Sequence, residues 1–149
     1  MDLMITHDVF MVPTITAGKE VAEKATIKGF YPDIVVPKAL AVGPQIQGTF
    51  SKAYKKGVKI AFGTDAGVFK HGDNGKEFGY MVEAGMPAME AIQSATITSA
   101  NILGIDNELG EIKAGYLADI IAVNENPIEN IKTLENVVFV MKEGIVYKQ

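Results

Sequence analysis

Gly63-Thr64-Asp65-Ala66-Gly67 is the segment of this chain best suited to chemistry. It follows the apolar run Val58–Phe62, so it puts a carboxylate just past the carboxyl end of what reads as a buried strand. Open α/β sheets and barrels keep their active sites at that end, because the loops diverge there and form a crevice. The flanking glycines let the backbone turn sharply and leave space beside the carboxylate. An aspartate so placed can ligate a divalent metal, or move a proton to and from a bound water. It can equally be an aspartate that only bonds the turn backbone, and spacing alone does not choose. His71 lies six residues on, in Lys70-His71-Gly72-Asp73-Asn74-Gly75. It can reach the same crevice or remain a solvated loop histidine.

Other chemistry-bearing residues read as structural. His7 stands before the first apolar run, Asp119 opens an apolar strand as a turn or cap residue, and Lys142-Glu143 forms a hairpin tip. The methionines at helical spacing read as core filler. The chain has no Gly-x-x-x-x-Gly-Lys-Ser/Thr, no Gly-x-Gly-x-x-Gly and no Gly-x-Ser-x-Gly. A self-contained nucleotide site or serine hydrolase is therefore unsupported.

The elements that must position Asp65 follow from periodicity. Val9–Val12, ended by Pro13, and Val58–Phe62, ended by Gly63, suit strands buried on both faces of a parallel sheet. Between them the spacing predicts helices over 19–28, with Glu20 and Lys24 paired, over 34–42, and over 45–56. A strand, a helical connection and a second strand describe a right-handed parallel crossover. A helix over 77–84 follows the Gly-rich loop. Pro87 then opens a longer one, with Met89, Ile92, Thr96, Ser99 and Leu103 on one face and small residues near Ala91, Ala95 and Ala100. The tail predicts four short strands: Glu111-Ile112, Asp119–Val123, Val137–Met141 and Ile145–Tyr147, the last two joined in a hairpin.

Composition narrows the class. The 149 residues are 48% hydrophobic and 21% charged, a globular composition of about one domain. Without cysteine there is no disulfide, thiolate zinc site or cysteine nucleophile. All 14 basic residues are lysine and the net charge is −4, so no arginine fork and no basic run argue for nucleic acid. No stretch is long enough to span a bilayer and no signal peptide is visible, which makes the cytoplasm the expected location. Two histidines leave little material for a metal site made within this chain alone.

Ile60-Ala61-Phe62-Gly63-Thr64-Asp65-Ala66-Gly67 resembles the eighth barrel strand of the metal-dependent amidohydrolases, in their imidazolonepropionase-like and Xaa-Pro dipeptidase-like branch. The rest agrees in order. Met81–Met86 leads into Glu90–Thr96 and Ala100–Gly104, then Leu109–Ile112, Gly115–Asp119, Asn126-Pro127-Ile128 and Val140–Gly144. Val9–Thr14 resembles the seventh strand. The likeness runs over essentially the whole chain.

That resemblance implies an α/β fold. Residues 1–107 would form the last two βα units of a (β/α)₈ TIM barrel, and residues 108–149 the carboxyl-terminal strands of a small β-sandwich. Such a barrel takes about 250 residues, so the resemblance implies a carboxyl-terminal portion. The implied activity is hydrolysis of a C–N bond by metal-activated water, as in a dipeptidase or N-acyl amino acid hydrolase. The implied cofactor is a divalent metal, foremost zinc, in the complete enzyme. Asp65 would be both metal ligand and the catalytic residue that shuttles the proton, and His71 a substrate-binding residue. The family's other ligands lie on barrel strands without counterparts here, so the chain alone is expected to be inactive. The expected partners are a small amide or dipeptide substrate and either further copies of the chain or a missing amino-terminal part. A non-catalytic fragment, acting as a scaffold or joining a separate amino-terminal chain, is the alternative.

Overall fold

In the computed structural model, which describes residues 1–149, the two apolar runs lie side by side in parallel. The Met11 N–H donates to the Lys59 carbonyl (2.8 Å) and the Ala61 N–H donates to the Met11 carbonyl (3.0 Å). The two expected strands shrink to this single bridge between Met11 and Ile60. Pro13 removes the next donor on one side, and no third strand flanks either run. Neither backbone group of Ile60 finds a backbone partner, although the residue is buried.

The helices are α1 (Asp2–Thr6), α2 (Ile15–Lys24), α3 (Val36–Lys55), α4 (Lys76–Glu83), α5 (Ala88–Ala95) and α6 (Ile97–Leu103). Short 3₁₀ turns occupy Asp73–Gly75 and Ile131–Glu135. α2 starts four residues earlier than the spacing predicts and carries the expected Glu20–Lys24 pair at 3.2 Å. The helices expected over 34–42 and 45–56 are one. Pro37 sits in the first turn of α3, where a missing N–H costs nothing, and Pro44 lies inside the helix. Packing against α2 holds it together. A Cβ on Gly43 would sit 3.1 Å from the Gly18 carbonyl and 3.2 Å from Ala22 Cβ, tight enough that any side chain there would push the two helices apart slightly.

The long helix expected from Pro87 is two. α5 ends and α6 begins at Thr96, whose φ and ψ are −118° and −93°. The Ser94 carbonyl accepts from the Phe62 N–H (3.2 Å) and the Ser99 hydroxyl (2.7 Å), and the Thr96 hydroxyl donates back to Ile92 (3.0 Å). These side-chain bonds compete with the helical ladder. Of the expected inward residues, the small Ala91 and Ala100 are buried, together with Ser94, while Met89 and Leu103 are exposed.

The core gathers Ile15, Phe50, Ile60, Met81, Met86 and Ala91. Phe62 stacks on Phe78 with ring centroids 4.3 Å apart. Two methionines fill the core as expected, and Met89 does not. The tail forms an antiparallel sheet of three strands rather than four: β1 (Ile120–Ala122), β2 (Phe139–Lys142) and β3 (Ile145–Lys148), in the order β1-β2-β3. Ile121 pairs with Val140, and Lys142 with Ile145. Glu143 and Gly144 make the hairpin turn, both at positive φ. Glu111-Ile112 forms no strand, and Ile112 is 87% exposed.

Candidate functional site

Two strand ends and one loop build the site. The second strand exits through Gly63, where an added Cβ would overlap Val12 Cγ1. That contact sets the ends of the two strands against one another and leaves no side chain ahead of Thr64. The chain then turns at Asp65, which takes a left-handed conformation (φ 54°). Non-glycine residues in that region are uncommon, and aspartate is among those that tolerate it best. The exit of the first strand shows the same feature at Thr14 (φ 47°).

Asp65 is exposed. Its carbonyl accepts from the Val68 N–H (3.2 Å), but its carboxylate takes up no hydrogen bond or ion pair of the chain. Of the two readings left open by the sequence, the turn-bonding one is therefore not what the structure shows. The carboxylate is free to act on a bound species. Around it the loop is held from several sides. Asn74 donates to the Thr64 hydroxyl (3.1 Å) and accepts from the Gly72 N–H (3.2 Å). Lys24 of α2 donates to the Val68 carbonyl (2.9 Å), and Phe69 is buried. His71 is exposed on this loop and makes no hydrogen bond to Asp65.

The residues read as structural behave so. Both oxygens of Asp119 are occupied: one accepts from the Lys142 ammonium (2.9 Å), the other from the Glu143 N–H (2.7 Å). Lys142 first, then the Glu143 amide, hold its carboxyl below the usual carboxylate range. His7 is exposed at the end of α1.

Glu77 escaped the sequence reading. Its side chain is fully buried, and it accepts from the Ile15 N–H (2.8 Å), the Thr16 N–H (2.7 Å) and the Thr16 hydroxyl (2.6 Å). Burial pushes its carboxyl above the ordinary glutamate value, against the pull of those three donors. The one available signal was its spacing: Glu77 lies four residues before the core residue Met81, on the inward face of α4. Asn74 was missed as well, since a loop asparagine gives no periodic signal.

A catalytic zinc site usually has three protein ligands. No group of three or more histidines and carboxylates converges in this chain. Asp65 alone does not fit a divalent metal centre, which would need donors from elsewhere. A cleft of about 520 Å³ lies apart from Asp65 and His71. Val58 and Ile60 form one side of it, and Glu90, Asp106 and Glu111 supply acidic groups. No helix is long and apolar enough to cross a membrane.

Comparison with known proteins adds four findings. The model of the amidohydrolase family matches residues 1–147. A crystal structure of a Xaa-Pro dipeptidase with methionine bound in its active site is 63% identical, with a TM-score of 0.94 over 99% of this chain. A prolidase crystallised with N-methylphosphonate-L-proline is 29% identical, with a TM-score of 0.84 over 99% of this chain. Ochratoxinase of Aspergillus niger is 38% identical over 104 residues, 66% of this chain. The chain spans 36% of the dipeptidase, 36% of the prolidase and 21% of the ochratoxinase.

Proposed function

The chain belongs to the amidohydrolase family, and from that premise we propose that it is the carboxyl-terminal portion of a hydrolase that cleaves C–N bonds in dipeptides or N-acyl amino acids. Residues 1–107 would contribute the last two βα units of a (β/α)₈ barrel, and residues 108–149 strands of a small β-sandwich. The observation that carries this reading is the free carboxylate of Asp65 at the carboxyl end of a parallel strand, within a chain matched along nearly its whole length. The likeness to a dipeptidase and a prolidase supports the substrate class.

In this reading Asp65 takes a proton from the attacking water and returns it to the nitrogen of the departing amine. Exposure and the lack of an internal partner suit a group that must accept and release a proton. His71, on the same loop, would donate a hydrogen bond to the substrate. A divalent metal, zinc foremost, would be held by donors from outside residues 1–149 together with Asp65. The chain alone is then inactive. The test is an assay of the isolated chain with added zinc against Xaa-Pro dipeptides and N-acyl amino acids, beside a longer polypeptide carrying the same segment after the earlier barrel strands. Turnover by the longer protein only is expected. Clear turnover by residues 1–149 alone would overturn the reading.

A second reading has its own observation. The unpaired backbone of buried Ile60 and the acid-lined cleft beside it favour a fragment that works by assembly, with copies of itself or with a separate amino-terminal chain. Light scattering decides: a species of 16.0 kDa at every concentration, with and without a candidate partner, argues against assembly.

A further inference from the structure

We infer that Glu77 is a positioning residue for the candidate site: from α4 it caps α2 and thereby fixes the exit of the first strand against the loop that carries Asp65. The inference rests on the hydrolase reading for its relevance, but its geometry stands apart from turnover.

The start of α2 needs help. Its N-cap, Thr14, is left-handed and gives no side-chain bond to the helix. The first amides of a helix have no partner within it and carry its positive end. Glu77 accepts from the first two, Ile15 and Thr16, and from the Thr16 hydroxyl. A carboxylate 61 and 62 residues away in the chain thus does the work of a local cap.

Glu77 cannot drift, because α4 is itself anchored. A Cβ on Gly75, at its start, would lie 2.9 Å from Glu135 Cα, so the helix start presses on the 3₁₀ turn Ile131–Glu135. One residue earlier, Asn74 donates to Thr64, the neighbour of Asp65. A continuous link therefore runs from Thr14 through Ile15, Thr16, Glu77, Asn74 and Thr64 to Asp65. Both ends of that link are non-glycine residues at positive φ, a conformation that persists only where the surroundings enforce it. With the Met11–Ile60 bridge and the Gly63–Val12 contact, the link completes a frame around the two strand exits.

The experiment uses ¹H–¹⁵N spectra and amide exchange of the full 149-residue chain in four forms: the unaltered protein, Glu77→Gln, Asn74→Ala and the double variant. Glutamine presents an NH₂ group where one acceptor oxygen stood, so at least one donor of α2 loses its partner. Glu77→Gln is expected to speed exchange at Ile15 and Thr16 about tenfold or more, matching one lost bond to a charged acceptor. It should also move the Thr64 and Asp65 amide signals. In the Asn74→Ala background, Glu77→Gln should still disturb Ile15 and Thr16 but no longer move Asp65 further. Thr16→Val removes only one of the three bonds and gives the same reading if Glu77→Gln fails to fold. Signals at Thr64 and Asp65 that ignore Glu77, or that respond equally without Asn74, would overturn the inference. None of these forms is expected to hydrolyse substrate, so the coupling is read from the spectra alone, and clear turnover by any of them would count against the hydrolase reading while leaving the coupling readable.

Discussion

Asp65 and Asp119 are both exposed aspartates beside a strand, yet their carboxylates have opposite fates. Asp119 spends both oxygens on the hairpin, and Asp65 spends neither. Asp65→Asn should therefore keep the fold, since asparagine also tolerates left-handed backbone, and unfold within about 0.5 kcal/mol of the parent protein. In an active hydrolase carrying the segment it should cut kcat by about 10²–10⁴, the range of a lost acid–base group. His71→Ala should instead raise KM with kcat nearly unchanged, and a reversed pattern would deny it a binding role. Asp119→Ala should speed amide exchange at Glu143. Because the Asp119 carboxyl is held below its ordinary value, its stabilisation is present above about pH 4 and fades as pH falls through the lowered value. The exchange difference between parent and variant should thus be plain at pH 7 and vanish in strong acid. Asp65 was legible because an aspartate between glycines at a strand end is a local pattern. Glu77 was not, since its partners lie 61 and 62 residues away.

At the scale of elements, type was legible more often than extent. The parallel placement of the two apolar runs follows their composition, but the length of the ladder depends on neighbours that periodicity cannot reveal. α3 reads as two helices because Pro44 breaks the local rule, and contact with α2 overrides it. α5 and α6 read as one because hydroxyl bonds from Ser94, Thr96 and Ser99 leave the apolar spacing intact. Two glycines test the α2–α3 contact. A Cβ on Gly18 would meet Ile46 Cδ1 at 2.5 Å, the tip of a side chain that can swing aside. A Cβ on Gly43 would meet backbone atoms of α2, which cannot. Glycine to alanine inside a helix gains about 1 kcal/mol in propensity, while overpacking costs about 1–3 kcal/mol. Gly43→Ala should therefore lower the urea midpoint clearly, and Gly18→Ala much less. Equal midpoints would mean that the helices can part.

For the whole molecule, the buried carboxylate at Glu77 gives stability a pH dependence opposite in sign to that of Asp119. Its folded value is raised above the ordinary 4.5. Its favourable contribution is full below the ordinary value and is lost as pH rises through the raised one. Relative to Glu77→Gln, which does not titrate, the parent protein should lose part of its advantage in thermal melts as pH rises above the ordinary glutamate value. An advantage that grows as pH rises would show that the three donors outweigh burial. Much apolar surface stays outside: Leu3, Ile34 and Leu103 are 74%, 90% and 70% exposed, and the Ile60 backbone stays unpaired. On the proposed reading, a carboxyl-terminal portion made without the rest of its barrel offers these exposed side chains to chaperones and proteases. If that reading holds, co-expression of the earlier barrel strands should lengthen its half-life even when neither piece turns anything over.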